Sequence, residues 1–222
     1  MASANMVGIK SCYSNFSVPL GGVDFTASGL AMKAAGCDGV TTALVDSSDV
    51  AVAQTVKTAG INAKVLIGGT AYDQSVLDSA SASSALEGQY MSSAILFDPA
   101  IPGIATMLNA FKQYVPGYKA GQIPDYGLYG SYIAADLMIK GLQEAGQNPT
   151  RQSFISNLRT VTNYTAGGIL PSPTSFANFG TVAMLPETSC QYYVQLQGGQ
   201  FINAAPGGGT NTICGSRFQV PS

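Results

Sequence analysis

Residues 36–49 read GCDGVTTALVDSSD and mark the place where a buried strand gives way to a helix. The apolar and β-branched run 40–45 predicts a strand. It stops at the polar cluster DSSD, residues 46–49, and apolar residues recur at helical spacing from Val50 onward. Such a cluster either only caps the following helix or also faces a ligand, and the pattern leaves both interpretations open.

The sequence around this stretch repeats the same order of strand and helix. Strand-like runs are expected at 9–13, 40–45, 64–67 and 89–97, with helical patterns between them. The strands recur about every 25 residues, which is typical of the crossovers that connect parallel strands. Their short, uninterrupted apolar character favours strands that are covered on both faces. The sequence therefore predicts an α/β fold with a parallel sheet flanked by helices.

The pattern becomes more helical after Asp98. Helices are predicted at 101–114 and 125–145, and a third follows Thr150. The second of these is apolar on nearly all sides, which is typical of a helix buried on most of its surface. Near the end, the run 192–204 predicts a hairpin that turns at two adjacent glycines.

Composition excludes several classes of function. The chain has 222 residues, of which 46% are hydrophobic and 10% are charged, so it can bury a sizeable core. Its net charge is −2, without a basic stripe, which argues against nucleic acid as a partner. It contains no His, so the usual proton shuttles and His-ligated metals are absent, and no cofactor is expected. No apolar run is long enough for a membrane span, and the N-terminus lacks a secretion signal.

The four cysteines fall into two pairs, one near each end of the chain. None has the CxxC spacing of zinc or redox motifs. Of the three connectivities, the spacing favours Cys12–Cys37 and Cys190–Cys214, and the alternative is four buried free thiols. Disulfides indicate an oxidising compartment, and without a secretion signal the chain is then expected to be a fragment.

The order of these elements resembles the C-terminal half of a periplasmic solute-binding protein of the branched-chain amino acid type, the receptor component of an ABC importer. Five groups of residues carry the resemblance, which extends over nearly the whole chain. They are DFTASGLAMKAAGCDGV at 24–40, SDVAVAQTVKTAGINAKVLIGG at 48–69, EGQYMSSAILFDP at 87–99, YGLYGSYIAADLMIKGLQEAG at 126–146 with TAGGIL at 165–170, and CQYYVQLQGGQF at 190–201.

The resemblance implies an incomplete bilobed architecture with a ligand in the cleft between the lobes. Residues 1–96 plus 185–222 would form the C-terminal lobe, and 97–184 the helical part of the other lobe. Phe97 and Asp98 would form a hinge crossing. The sheet on which helices 101–114 and 125–145 normally pack is missing from this sequence, so the chain is expected to self-associate.

The resemblance also implies a non-catalytic function and a place for the ligand. Two polar turns follow neighbouring strands, and in similar proteins the equivalent turns contact a small amino acid or small carboxylate. The expected ligand-binding residues are Asp46, Ser47, Ser48, Thr70, Ala71 and Tyr72. The full-length protein would act outside the cytoplasm with an ABC permease as its partner. The alternatives are a ligand-sensing regulator of the same fold and a His-free hydrolase that pairs Asp46 with Asp49.

Overall fold

Three short strands form the parallel part of the sheet in the computed structural model, which describes residues 2–180 and 188–216. They are β1 (Gly39–Thr41), β2 (Lys64–Ile67) and β3 (Tyr90–Ser93), which pair side by side in that order. Leu66 lies opposite both Thr41 and Tyr90. Val65, Ile67 and Met91 are completely buried, as expected for parallel strands with helices on their faces. The predicted α/β class with a parallel sheet is confirmed.

Five helices and a 3-10 turn precede or connect these strands. They are α1 (Ala2–Met6), α2 (Thr26–Ala34), α3 (Asp46–Thr58), the 3-10 turn Gly69–Ala71, α4 (Gln74–Asp78) and α5 (Ala80–Leu86). The inner face of α3 buries Val52, Ala53 and Val56. A Cβ at Gly29 of α2 would lie 2.5 Å from Cγ2 of Thr55, so the glycine allows α2 and α3 to pack closely.

Two strand predictions and one helix start were wrong in their bounds. The strand expected at 40–45 ends at Thr41, and α3 begins at Asp46 instead of Val50. Val45 is extended and its carbonyl accepts the amides of Ser48 and Asp49, both at 3.0 Å, so the backbone starts the helix early. The run expected at 89–97 is a strand only at 90–93.

The strand expected at 9–13 is absent, since these residues have no regular structure. Cys12 is bonded to Cys37 in the turn after α2, which anchors the segment there. The Tyr13 hydroxyl lies 3.0 Å from the hydroxyl of Ser28 on α2. A disulfide and a side-chain hydrogen bond thus replace the ladder that an additional strand would have formed beside β1.

The predicted hairpin is confirmed and extended by another strand. It consists of β4 (Thr188–Gln197) and β5 (Gln200–Asn203), and a further strand, β6 (Ile213–Ser216), pairs antiparallel with the start of β4. Gly198 and Gly199 both have positive φ, which two-residue hairpin turns require. Cys190 lies directly opposite Cys214, so their disulfide crosses neighbouring strands. Both disulfide pairings favoured by the spacing are present.

The described residues group into two compact units. The first comprises 2–93 and 193–204, and the second comprises 94–180, 188–192 and 205–216. The chain passes between the two units after Ser93, within β4 after Tyr192, and after Ala204. The lobe division inferred from the resemblance stays a prediction.

The second unit contains three helices around its own core. They are α6 (Pro102–Tyr114), α7 (Tyr126–Ala145) and α8 (Arg151–Leu158), close to their predicted positions. The sequence suggested that α6 lacked a cover, but Ile104, Met107 and Phe111 are buried. Residues of the same unit cover them: the three side chains share a core with Val161, Tyr164 and Ile169, and the backbone of residues 167–169 packs against the first turn of α6 at Gly103.

Helix α7 leaves one apolar face exposed within this unit. Met138, Ile139 and Leu142 are 60%, 55% and 40% exposed, and only Tyr129 and Gly141 of the whole helix are buried. Although α7 has 20 residues, no helix in the described ranges is long and apolar enough to cross a membrane. The prediction that the chain self-associates therefore rests on α7 and no longer on α6.

Replacing Met138 and Leu142 together by Gln is expected to shift the 222-residue chain from self-associated species toward monomer, because each side chain would lose apolar contact area. Light scattering at tens of micromolar measures the change. Leu30→Gln on α2, where Leu30 is 63% exposed, is the matched control and is expected to leave the mass unchanged. A native chain that is monomeric at this concentration contradicts the prediction.

Replacing Gly103 by Ala is expected to destabilise the chain by about 1–3 kcal/mol, the usual effect of overpacking. Its Cβ would lie 2.6 Å from the carbonyl oxygen of Gly167, a backbone atom that cannot rotate away. Gly130→Ala in α7 is the control, because nothing lies within 4 Å of that Cβ. This control should gain up to about 1 kcal/mol from helix propensity. Urea unfolding measures both, and equal effects would argue against close packing at Gly103.

Candidate ligand-binding site

The turns that follow β1 and β2 lie together at one edge of the sheet. The amide of Thr42 donates to the carbonyl of Leu66 at 3.0 Å, which extends the pairing of the two strands. Beyond it, the Thr70 hydroxyl is 3.3 Å from the carbonyl oxygen of Leu44. The parallel sheet therefore brings the two predicted ligand turns into contact, at the edge where open α/β sheets bind their ligands.

The turn after β1 divides into exposed and buried side chains. Asp46 and Ser47 open the first turn of α3 and are exposed, whereas Ser48 and Asp49 are buried. The positive end of the helix dipole lies at this first turn and favours negative groups. The polar cluster 46–49 does not cap the helix as expected: Val45 occupies the N-cap position, and no side chain caps the helix. Asp46 and Ser47 are thus available for contacts with a solute.

The turn after β2 is held mainly by buried groups. Ala71 and Tyr72 are 0% and 4% exposed, and the Tyr72 ring packs edge-on against Phe201 of β5 at 5.0 Å. A Cβ at Gly69 would lie 3.0 Å from the carbonyl oxygen of Ser92, so glycine allows the turn to sit against the end of β3. Thr70 is half-buried. Of the predicted ligand residues in this turn, only Thr70 is partly open to solvent.

Asp49 is the residue that the sequence interpretation undervalued. It has no exposed surface, and it shares the inner face of α3 with Val52, Ala53 and Val56. Spacings of three, four and seven residues place Asp49 on this apolar stripe, so the signal was present in the sequence. Charged side chains are almost never fully buried unless they are paired, which marks this position as unusual.

The surroundings of Asp49 favour its neutral form. Burial raises the pKa of its carboxyl from 3.8 to about 6, and the negative charge of Asp46 adds to the rise. The hydroxyls of Thr42 and Thr70 and the backbone of Leu44 act in the opposite direction. Thr42 acts from nearby without reaching hydrogen-bond geometry: within the described residues Asp49 Oδ1, Thr42 Oγ1 and Ser48 Oγ are buried and have no hydrogen-bond partner.

The arrangement does not form the carboxylate pair that a hydrolase would need. Asp46 faces solvent while Asp49 lies beneath the turn, so the two do not flank a common space. Across residues 2–180 and 188–216, no three His, Cys, Asp or Glu side chains group closely enough to hold a metal ion. The exposed groups of the site are suited to binding a polar solute.

The predicted hinge residues lie at the beginning of the second unit. Asp98 forms a turn in which its carboxylate accepts the amide of Ala100 at 2.8 Å. The ring of Phe97 packs edge-on against Tyr129 of α7 at 5.3 Å. Their role as a hinge stays a prediction.

The free energy of unfolding of Asp49→Asn is expected to increase progressively, relative to that of the native chain, as pH rises from about 4 to about 7. The folded pKa lies above the unfolded one, so the native chain has this contribution to stability below pH 3.8 and loses it as pH passes 6. The rise of the pKa from 3.8 to about 6 corresponds to a change of about 3 kcal/mol in the stability difference between the variant and the native chain. Urea unfolding at several pH values measures it.

The matched control is Asp38→Asn, which changes an exposed carboxylate in the turn before β1. Its difference from the native chain is expected to stay within about 0.5 kcal/mol at every pH, as for most surface substitutions. A difference between Asp49→Asn and the native chain that is flat with pH would show that the carboxyl is not buried as described.

The fold is similar to solved structures of ABC transporter proteins that bind solutes. A fatty acid ABC transporter substrate-binding protein from Thermomonospora curvata matches with a TM-score of 0.69 and 18% identity, over 90% of this chain and 50% of that one. A branched-chain amino acid ABC transporter protein from Thermus thermophilus with bound valine matches with a TM-score of 0.68 and 16% identity, over 91% and 54%. A solute-binding protein from R. palustris in complex with benzoate matches with a TM-score of 0.61 and 16% identity, over 86% and 48%.

The TM-scores show a shared fold, and the chain spans about half the length of each of these proteins. The fold is the type I periplasmic-binding-protein architecture, which confirms the predicted resemblance. No curated protein matches the sequence. The model of the periplasmic binding protein family matches residues 1–200, most of the sequence. The chain therefore belongs to the periplasmic binding protein family.

Proposed function

We propose that this chain is part of a solute receptor of an ABC importer, and that it binds a small amino acid or a small carboxylate at the carboxyl edge of its parallel strands. The observation that carries the proposal is the contact between two polar turns at this edge, which leaves Asp46, Ser47 and part of Thr70 open to solvent. Such receptors act outside the cytoplasm, which agrees with the two disulfides. The partner of the whole protein would be a membrane permease.

The groups at the site suit a zwitterion better than an apolar solute. Asp46 supplies an exposed carboxylate that can accept hydrogen bonds from a ligand ammonium. The first turn of α3 supplies a positive dipole end, and Ser47 supplies a hydroxyl that can donate to a ligand carboxylate. The Thr70 hydroxyl already donates within the site, so it supports the two turns. Ser48, Ala71 and Tyr72, which are buried, would act by supporting the backbone of the two turns.

The ligands bound in two of the similar structures, valine and benzoate, provide a natural pair of probes. Valine carries both an ammonium and a carboxylate, whereas benzoate carries the carboxylate alone. A role for Asp46 in holding an ammonium predicts that the two probes respond differently to its removal. The comparison also separates the amino acid and the carboxylate versions of the proposal.

A thermal-shift screen of the 222-residue chain with L-valine, other amino acids and benzoate is expected to find at least one stabilising compound. A ligand at about 100 times its dissociation constant adds about 2.7 kcal/mol to the free energy of unfolding. Asp46→Asn should weaken L-valine by about tenfold or more, because a hydrogen bond to a charged group contributes about 1.5–3 kcal/mol. The same substitution should change the affinity for benzoate by less than about threefold, because benzoate has no ammonium group that could lose a partner.

The same Asp38→Asn variant serves as a control for loss of one exposed negative charge. Its affinity for every probe is expected to equal that of the native chain. A panel in which no compound raises the melting temperature contradicts the receptor proposal for this chain. If Asp46→Asn lowers the affinity for L-valine and for benzoate equally, Asp46 does not hold an ammonium group. The receptor proposal would still stand.

A further inference from the structure

The buried Asp49 carboxylate touches both turns of the candidate site. Its Oδ2 is 3.5 Å from the hydroxyl of Thr70, in the turn after β2. The backbone of Leu44, in the turn after β1, lies near enough to the carboxyl to act toward a lower pKa, as the smallest of the influences on it. Asp49 itself belongs to α3, three residues after the exposed Asp46. One side chain without exposed surface therefore lies at the junction of all three segments.

The Thr70 hydroxyl has two acceptors and one proton. It lies 3.3 Å from the carbonyl oxygen of Leu44 and 3.5 Å from Asp49 Oδ2, and it can donate to only one of them at a time. When Asp49 is ionised, the carboxylate competes for this proton. When Asp49 is protonated, its O–H can donate to the Thr70 oxygen, which frees the Thr70 proton for Leu44. The protonated form thus makes a continuous chain from Asp49 through Thr70 to Leu44.

We propose that Asp49 is a positioning residue that fixes the two ligand turns relative to each other through the Thr70 hydroxyl. We call the contact of Asp49 with Thr70, and through it with Leu44, the tie. Its importance for ligand binding rests on the proposed function, because the tie holds the first turn of α3, where Asp46 and Ser47 are exposed. The buried oxygens Asp49 Oδ1 and Thr42 Oγ1, which lack partners among the described residues, mark the same junction as polar. Asp49 reaches solvent at no point, so it acts through Thr70 and the Leu44 backbone and touches no solute itself.

The charged groups around the junction are few. On α3, Asp46 acts on the carboxyl and favours its protonated form. The turn after β2 continues into Tyr72, which packs on Phe201, and Asp73, whose carboxylate caps α4 at the Ser75 amide. Helix α5, packed against α3, has the sequence ASASSAL without a titratable group. On α2, Lys33 donates to the Ala59 carbonyl, at the opposite end of α3.

The tie is tested without a ligand by following the carbonyl carbon of Leu44 and the carboxyl carbon of Asp49 in NMR spectra of the 222-residue chain between pH 4.5 and 8. Both signals are expected to titrate with one midpoint, because the Thr70 proton moves to Leu44 as Asp49 takes up its own. Thr70→Val should remove at least half of the Leu44 response. Thr70→Ser, which keeps the hydroxyl, should retain it.

Two results would overturn the inference: a Leu44 signal that does not change over this pH range, and a Leu44 titration of equal size in Thr70→Val and Thr70→Ser. If the role of Asp49 were purely structural, both Thr70 variants would differ from the native chain in stability, but the Leu44 signal would titrate equally in the two. If Thr70→Val does not fold, Asp49→Asn replaces it, and a Leu44 signal that still titrates in that variant counts against the tie.

The consequence for binding is measured separately with L-valine as the probe. At pH 5.5, Thr70→Val is expected to lower the affinity for L-valine by about fivefold, the equivalent of about one hydrogen bond. Thr70→Ser should lower it by less than about twofold. Failure of L-valine and all other panel compounds to bind the native chain counts against the proposed function, while the Leu44 signal still decides the tie. Unchanged binding in Thr70→Val, with normal binding in the native chain, counts against the positioning role alone.

Discussion

The parallel pairing of β1 with β2 determines where every polar group of the candidate site lies. Because both strands run in the same direction, the residues that follow them must emerge at one edge. The register then brings the Thr42 amide to the Leu66 carbonyl and Thr70 to Leu44. An antiparallel pairing of the same strands would place these turns at opposite edges. The exposed carboxylate, the hydroxyls and the helix dipole converge only because of this pairing.

The convergence has an electrostatic consequence beneath the surface. The first turn of α3 begins so soon after β1 that its fourth residue, Asp49, points under the turn instead of into solvent. Burial then favours the neutral acid, while Thr42, Thr70 and Leu44 favour the ion. These opposing influences leave the pKa of the carboxyl at about 6, within two units of neutral pH. A helix that began at Val50, as its sequence pattern suggested, would leave this carboxylate in a solvated loop.

The sequence was informative about the order of elements and less so about their ends. Apolar periodicity located α3, α6, α7 and the β4–β5 hairpin within a few residues, because these elements bury a continuous face or turn at a glycine pair. It failed at 9–13, where a disulfide decides the conformation, and at Val45, where backbone hydrogen bonds start a helix that no capping side chain announces. For the candidate site, residue type and position after a strand predicted two turns that the structure brings into contact, and their role in ligand binding stays a prediction. Which side chains reach solvent depended on the packing of Tyr72 on Phe201, a contact between distant parts of the sequence.

The identity of residue 49 is itself an argument that this edge does more than stabilise the fold. Its neighbours on the inner face of α3 are Val52, Ala53 and Val56, so an apolar side chain would continue the stripe. Replacing buried ionic groups by apolar ones of similar volume is often neutral or stabilising. Of the two acceptors of the Thr70 hydroxyl, however, an apolar residue here would leave only the carbonyl of Leu44. It would also remove the acid that links the turns. A carboxyl group that is unfavourable for packing, yet lies within hydrogen-bond distance of the Thr70 hydroxyl that also meets Leu44, suits a site in which the relative position of the two turns matters.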